Sequence, residues 1–135
     1  MPRTGPGLTK VAQEIRTNAK LALEAAAKLL HAQVISELST PGKGRIYEKY
    51  KPRRTHQASA PGDPPAPDTG VLRNSITIGP TETGYRVGTN LQSAPVLEFG
   101  SSSMAPRPFM RPAIDKVREQ LGPAIVAVLR RKGAR

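Results

Sequence analysis

The stretch Ala94–Ala113, APVLEFGSSSMAPRPFMRPA, decides how this chain folds, because an apolar segment is followed there by three closely spaced prolines. Proline fixes its own φ and disfavours helix in the residue before it. Residues 104–111 are therefore predicted to be extended, and Pro112 suits the first turn of a helix. Phe99 and Phe109 are the only phenylalanines of the chain. Each offers a large apolar area, so we expect both to be buried at a strand-to-helix corner.

Helical periodicity marks both ends of the chain. Apolar residues spaced by three and four predict one long helix over residues 8–39, about 45 Å long at 1.5 Å per residue. A helix of that length is expected to overhang towards a neighbouring molecule. A C-terminal helix is predicted over residues 112–132, kinked or split at Gly122-Pro123. Residues 1–7, with two prolines and two glycines, are predicted to be a loose arm.

The segment between these helices alternates in the manner of strands. Val71–Ile78, Tyr85–Gly88 and Ala94–Phe99 are predicted to be antiparallel strands within residues 71–100. The fold class expected is α+β. Residues 1–135 would form a single domain in which the two helices pack on a small antiparallel sheet of three to four strands.

Residues 51–69 contain four prolines between Pro61 and Pro67, which excludes helix and central strand. Such a segment is either an extended arm that lies on another subunit or a linker, and its abrupt join to the next strand favours the arm. Asp68-Thr69-Gly70 is interpreted as a turn in which Asp accepts a backbone N–H and Gly takes positive φ.

The formal charge is +11 and the isoelectric point about 10.7, which predicts attraction to polyanions or to an acidic protein face. Residues 43–54 combine six basic side chains with two tyrosines. That cluster fits nucleic-acid binding, and it fits a solvated edge strand or hairpin equally well. The basic C-terminal tail is likewise either a solvated helix end or an anion-binding tail. The candidate DNA-facing residues are Lys43, Arg45, Lys49, Lys51, Arg53, Arg54, Arg130, Arg131 and Lys132.

The sequence predicts neither an enzyme nor a metal or cofactor site. There is no cysteine, and neither His31 nor His56 has a second metal-type ligand three or four residues away. Glu98 is isolated in sequence, and a general acid or base needs a partner. No apolar run reaches the 18 or so residues of a membrane span, and the N-terminus lacks the apolar stretch of a signal peptide, so a cytoplasmic protein is expected. A core this poor in large side chains predicts an oligomer.

Two blocks of sequence resemble a known family. HQASAPGDPPAPDTGVLRNSI (56–76) and the stretch from Ala94 to Ala113, with its EFG and MAPRPFMRPA segments, are similar to two ordered signatures of phage tail-completion proteins. These are also called tail-to-head joining or neck proteins, of the gene-product-ten-like type. The likeness, with a long leading helix and a basic closing helix, covers nearly the whole chain. It departs from the family's pattern at Val71, Ser93, Pro95 and Ser101.

The resemblance implies a structural virion protein, assembled in the host cytoplasm. It would form a homo-oligomeric ring of six subunits in the neck of a long-tailed double-stranded DNA phage. The ring would join the head-closure or connector protein to the tail terminator or tail tube protein, and DNA would pass through its channel without sequence-specific binding. No cofactor, membrane or bond-making step is implied. The residues expected at subunit or partner interfaces are Pro61, Pro64, Pro65, Asp68, Leu72, Arg73, Glu98, Phe99, Arg107, Phe109 and Arg111.

Two other readings of the sequence stay open. One is a basic nucleic-acid-binding protein, for which strongly salt-dependent DNA binding is expected. The other is a neighbouring neck role, tail terminator or head-closure stopper, because related neck proteins use similar small folds.

Overall fold

A computed structural model describes residues 6–50, 53–68 and 70–133 of the chain. It confirms the α+β class. In chain order the elements are α1 (Pro6–Leu38), β1 (Ile46–Tyr50), β2 (Arg53–Gln57), α2 (Val71–Ser75), β3 (Thr77–Pro80), β4 (Tyr85–Gly88), α3 (Ala94–Phe99) and α4 (Met110–Gly133).

The long N-terminal helix is confirmed, with 33 residues that span about 50 Å at 1.5 Å per residue. Its alanine-rich middle favours helix, and it ends before the Thr40-Pro41-Gly42 stop signal. Of the predicted loose arm, residues 1–5 lie outside the described residues. Pro6 and Gly7 already belong to α1. Proline is tolerated in the first turn of a helix, because the N–H that it lacks would have no carbonyl partner there.

The predicted strand Ala94–Phe99 is wrong, because these residues form a short helix, and the predicted strand Val71–Ile78 is right only at Thr77 and Ile78, because residues 71–75 form another. Leu72 and Ile76 are four residues apart. Residues at that spacing lie on the same face of a strand and also on the same face of a helix, so the apolar pattern does not distinguish the two. Gly70, at φ +77°, sets the chain direction, and its carbonyl accepts the Asn74 N–H at 2.8 Å. In α3, Pro95 stands in the first turn and favours helix entry rather than a strand.

The strands therefore form two separate hairpins rather than one sheet. β1 pairs antiparallel with β2 from Ile46↔Gln57 to Tyr50↔Arg53, and β3 pairs antiparallel with β4 from Thr77↔Gly88 to Pro80↔Tyr85. Part of the basic cluster at 43–54 thus lies in a hairpin, which one of the two interpretations expected, and the predicted extended arm over residues 51–69 is wrong at Arg53–Gln57, because these residues pair as β2. β3–β4 packs against α1.

The C-terminal helix is confirmed, and it begins two residues before Pro112. The predicted split at Gly122-Pro123 is wrong, because α4 continues through Pro123 to Gly133. Gly122 has no Cβ to clash with the proline ring, and Pro123 is exposed, so the helix accommodates the missing N–H.

The main core lies where the end of α1, the α2–β3 junction, α3 and the start of α4 meet. It consists of Val34, Leu38, Ile76, Ala94, Phe109 and Ala113, all buried. Phe109 is 1% exposed, as predicted, and it is one of the two largest fully buried side chains. The same expectation is wrong for Phe99, which is 79% exposed, because α3 turns that side chain away from the core.

Replacing each phenylalanine by alanine tests this arrangement. Phe109→Ala should lower the free energy of unfolding by about 3–5 kcal/mol, through lost burial and the cavity left behind. Phe99→Ala should change it by less than about 0.5 kcal/mol, because the side chain is already in water. Urea unfolding followed by circular dichroism measures both. Equal destabilisation by the two substitutions would contradict the assigned core.

Candidate functional site

The two sequence blocks that carry the family resemblance fold directly against each other. The Arg107 guanidinium donates to Ser59 at both its carbonyl oxygen and its Oγ, the latter at 2.6 Å. The Gly62 N–H donates to the Pro106 carbonyl at 3.0 Å, and the Arg107 N–H donates to the Leu97 carbonyl at 2.6 Å. The contacts of the proline-rich segment at Ser59 and Gly62 are thus with its own chain. We call this meeting of residues 58–62 with residues 106–107 the block junction.

Glu98 supplies the N-terminal cap of α4 from outside that helix. Its Oε2 accepts the N–H groups of Phe109 and Met110 at 2.9 and 3.0 Å, and its Oε1 accepts that of Arg111 at 3.0 Å. These donors have no carbonyl partner within the helix, and the helix dipole favours a negative charge at this end. Glu98 is therefore neither an isolated acid nor a free interface residue. It fastens the end of α3 to the start of α4.

The Asp68 carboxylate contacts three basic side chains of the β1–β2 hairpin. One carboxylate oxygen accepts from Lys49 Nζ at 2.6 Å, and the other is paired with Arg54 and lies 3.6 Å from His56 Nδ1. The expected turn is confirmed in the positive φ of Gly70, and Thr69 lies outside the described residues. The Asp68 side chain binds these basic groups across the hairpin, which its sequence neighbours do not indicate.

Two of the eleven predicted interface residues are buried within the chain, and five more are partly buried. Phe109 and Pro65 are buried, and several others are partly buried, namely Pro64, Leu72, Arg73, Glu98 and Arg107. Pro61, Phe99 and Arg111 are exposed, while the Asp68 side chain is 23% exposed. The structure thus leaves Phe99 as the large apolar group of this set that is free to meet a partner.

Two of the candidate DNA-facing residues form ion pairs within the chain, and four others are exposed. Lys49 and Arg54 are both paired with the single carboxylate of Asp68, which offsets one of their two positive charges. Lys43, Arg45, Arg53 and Arg130 are exposed, and the Arg45 guanidinium stacks 5.3 Å above the Tyr47 ring. Lys51 lies outside the described residues, and only the backbone of Arg131 and Lys132 is described, within α4.

Exposed apolar side chains are the feature that sequence reasoning underestimated. Across the described ranges, fourteen large apolar side chains are exposed, whereas five are buried: Val34, Leu38, Ile76, Phe109 and Val117. Three of the exposed ones lie on the first turns of α1: Leu8 is 61% exposed, Val11 51% and Ile15 63%. Periodicity identified this stripe, but it cannot tell which half of a stripe the chain itself covers.

An open apolar groove of about 390 Å³ lies beside the covered half of α1. It is lined by α1, β4 and α4, and Ala26 and Ala27 are its small lining residues. The larger side chains that line it are Leu23, Leu30, Tyr85, Val87, Ile114, Val117, Arg118 and Leu121.

Within residues 6–50, 53–68 and 70–133, no three His, Asp or Glu side chains gather into a metal-binding group. His31 instead lies 3.3 Å from the Ile76 carbonyl oxygen, to which its ring N–H can donate, and so links α1 to β3. None of the helices, over the part of the chain described, has the length and apolarity to cross a bilayer.

Comparison with known proteins gives no match to a family model, a curated protein or a solved structure.

The Glu98 cap makes a quantitative prediction. Glu98→Ala should lower the free energy of unfolding by about 2–3 kcal/mol, since three N–H groups lose a charged acceptor. Glu98→Gln keeps one acceptor oxygen but loses the charge, so an intermediate effect is expected. Glu82→Ala, at an exposed turn position, is the matched control and should be close to neutral. Unfolding in urea measures all three, and a neutral Glu98→Ala would refute the capping role.

His56 predicts how stability changes with pH. Burial lowers the pKa of His56 below its usual 6.5, and the Lys49 and Arg54 cations lower it further. Unfolded His56 then takes up a proton at a pH where the native residue does not. Stability should therefore fall as the pH drops from about 6.5 towards the lowered native pKa.

The urea midpoint of the wild-type protein, measured at intervals from pH 7.5 to 5.5, should follow this fall. His56→Gln should show a flatter dependence over the same range, whatever its stability at pH 7.5. Identical slopes in the two proteins would contradict the assignment.

Proposed function

We propose that this chain is a structural virion protein that forms a ring in the neck of a long-tailed double-stranded DNA phage and joins the head connector to the tail tube. The observation that carries the proposal is the excess of exposed over buried large apolar side chains, fourteen against five among the described residues. A chain with so little core and so much apolar surface is suited to assembly with other chains.

The family resemblance indicates that the assembly is a ring, and the contacts made by the two signature blocks support this proposal. The two signature blocks meet at the block junction, and the Glu98 cap ties the two ends of the second block to each other, so the blocks build one connected part of the chain. Residues 104–109, with their prolines, are neither helix nor long strand, and form a stiff connection between α3 and α4. A stiff joint is useful in a ring subunit, because each copy must present the same angle to its neighbours.

The net charge fits a channel through which DNA moves. The exposed cations Lys43, Arg45, Arg53 and Arg130 would contact phosphates without reading base sequence. Lys49 and Arg54 are held by Asp68, so they would contribute less than their number suggests. In this proposal no bond is made or broken. The ring acts by offering one face to the connector and the other to the tail.

Two alternatives make different predictions for the purified protein. A nucleic-acid-binding protein would depend on DNA for its assembly. A tail terminator or head-closure stopper would form rings as well, but would bind only the tail tube or only the connector.

The proposal predicts that the purified protein forms rings without DNA. Six subunits of 14.5 kDa give a mass of about 87 kDa, which light scattering coupled to size exclusion measures. Negative-stain electron microscopy should show closed rings at both 0.1 and 0.5 M salt, because apolar contacts are not screened. A monomer at about 100 μM that also ignores connector and tail tube components would refute the proposal, and assembly only on DNA would favour the nucleic-acid reading.

A further inference from the structure

Two cations face each other across the β1–β2 hairpin. Lys49 and Arg54 are direct cross-strand partners, so their side chains stand on the same face of the hairpin. Like charges in that position repel each other, and the pair is destabilising unless an anion binds both. The Asp68 carboxylate supplies that anion, with one oxygen 2.6 Å from Lys49 Nζ and the other paired with Arg54. The hairpin therefore has a position that receives one anionic group.

A phosphate suits this position as well as a carboxylate does. A guanidinium binds the oxygens of either anion through a fork of N–H donors, and an ammonium group binds both as a point charge. Lys49 and Arg54 together offer more donors than one carboxylate can accept, and one positive charge stays in excess. Their side chains are 42% and 32% exposed, so phosphate oxygens can reach the remaining donors from solvent.

The same face of the hairpin continues this basic surface along β1. Arg45 and Tyr47 alternate with Lys49 in sequence, and the Arg45 carbonyl accepts the Ala58 N–H at 2.9 Å, so the strand geometry extends to Arg45. The Arg45 guanidinium stacks 5.3 Å above the Tyr47 ring, and Tyr47 is 45% exposed. Cations next to an accessible aromatic ring are typical of surfaces that follow a nucleic-acid backbone. This combination favours nucleic acid as the source of the phosphate.

We propose, on the basis of the proposed function, that Lys49 and Arg54 form a binding site for the phosphates of nucleic acid, and that the Asp68 carboxylate competes with phosphate for this site. Asp68 offsets one of the two positive charges, so each subunit holds DNA more weakly than its number of basic residues predicts. Weak contacts suit the wall of a channel, because DNA that moves along it has to leave every contact that it forms.

Asp68→Asn tests the competition, because asparagine keeps the size of the side chain and loses its charge. Fluorescence anisotropy measures binding of a labelled duplex of about 20 base pairs to the full-length protein over a range of salt concentrations. One more unpaired cation should steepen the slope of log K against log salt by about 0.9, which raises the affinity about eightfold at 0.1 M salt. Asp63→Asn removes the same charge at an exposed position of the same proline-rich segment and should stay within about twofold of the wild type.

Removal of the freed cation should cancel the gain in affinity. Asp68→Asn combined with Arg54→Gln should return to within about twofold of the wild type, because the site again carries one positive charge. Asp68→Asn combined with Arg118→Gln loses an equal charge at an exposed position of α4 and should keep most of the gain. Circular dichroism confirms that each variant is folded. Unchanged or weaker DNA binding by folded Asp68→Asn would overturn the proposal, and so would an equal gain in Asp63→Asn.

A second pair of variants leaves Asp68 in place and gives the answer if Asp68→Asn does not fold. Lys49→Gln leaves Arg54 and Asp68 as a neutral pair, so the affinity for the duplex should fall about eightfold at 0.1 M salt. Lys10→Gln removes an equal charge from an exposed position of α1 and should lower the affinity less than about twofold. Equal losses in the two variants would overturn the proposal.

DNA affinity and ring formation are measured separately, so the two proposals can fail separately. Rings in which Asp68→Asn leaves DNA binding unchanged would overturn the phosphate site and leave the ring function intact. A monomeric protein whose DNA affinity rises in Asp68→Asn would refute the ring function and support the phosphate site. A gain in binding to phosphatidylglycerol vesicles, with none on DNA, would overturn the proposal in favour of a membrane surface.

Discussion

The fold depends on one carboxylate that satisfies three N–H groups at the start of α4. Between α3 and α4 the chain passes through a serine turn and a proline-containing connection that provide few backbone hydrogen bonds of their own. Glu98 fixes the direction in which α4 leaves that connection. Phe109, whose own N–H is one of the three donors, is thereby held in the core against Val34 and Leu38. A second tie, between Lys116 of α4 and the buried Glu37 of α1, then aligns the two long helices.

The Glu98 cap explains why the connection between α3 and α4 is well fixed although the apolar core of the chain is small. The polar contacts of Glu98, Arg107 and Asp68 connect segments that are separated in sequence, whereas apolar burial is concentrated in one small cluster, with Val117 and two alanines of α1 buried beyond it. Each two-stranded hairpin alone would be marginal in water. The chain can thus hold a defined shape while fourteen of its large apolar side chains, among the described residues, are exposed.

Sequence periodicity predicted the two long helices, because three-and-four spacing over many residues has no competing explanation. It failed at residues 71–75 and 94–99, where a segment of five or six residues fits a period of two and a spacing of four equally well. The roles of Glu98 and Asp68 were not predictable from local sequence, since their partners lie eleven or more residues away. The expectation that Phe99 is buried was wrong for a related reason. Residue type favours burial of a phenylalanine, but the orientation of α3 determines whether the side chain reaches the core.

The position of the resembling blocks bears on where partner specificity resides. Both blocks contribute chiefly to internal contacts, through Ser59 with Arg107 and Glu98 with α4. Residues committed to holding a subunit together are poorly placed to choose a partner. The exposed apolar surfaces lie largely outside the blocks, on Leu8, Val11 and Ile15 of α1, in the groove beside α1, and on Ile46 and Tyr50 of β1. Under the proposed function, two chains that share the blocks would therefore share the connection between α3 and α4, while differences in these surfaces would change the neighbours they bind.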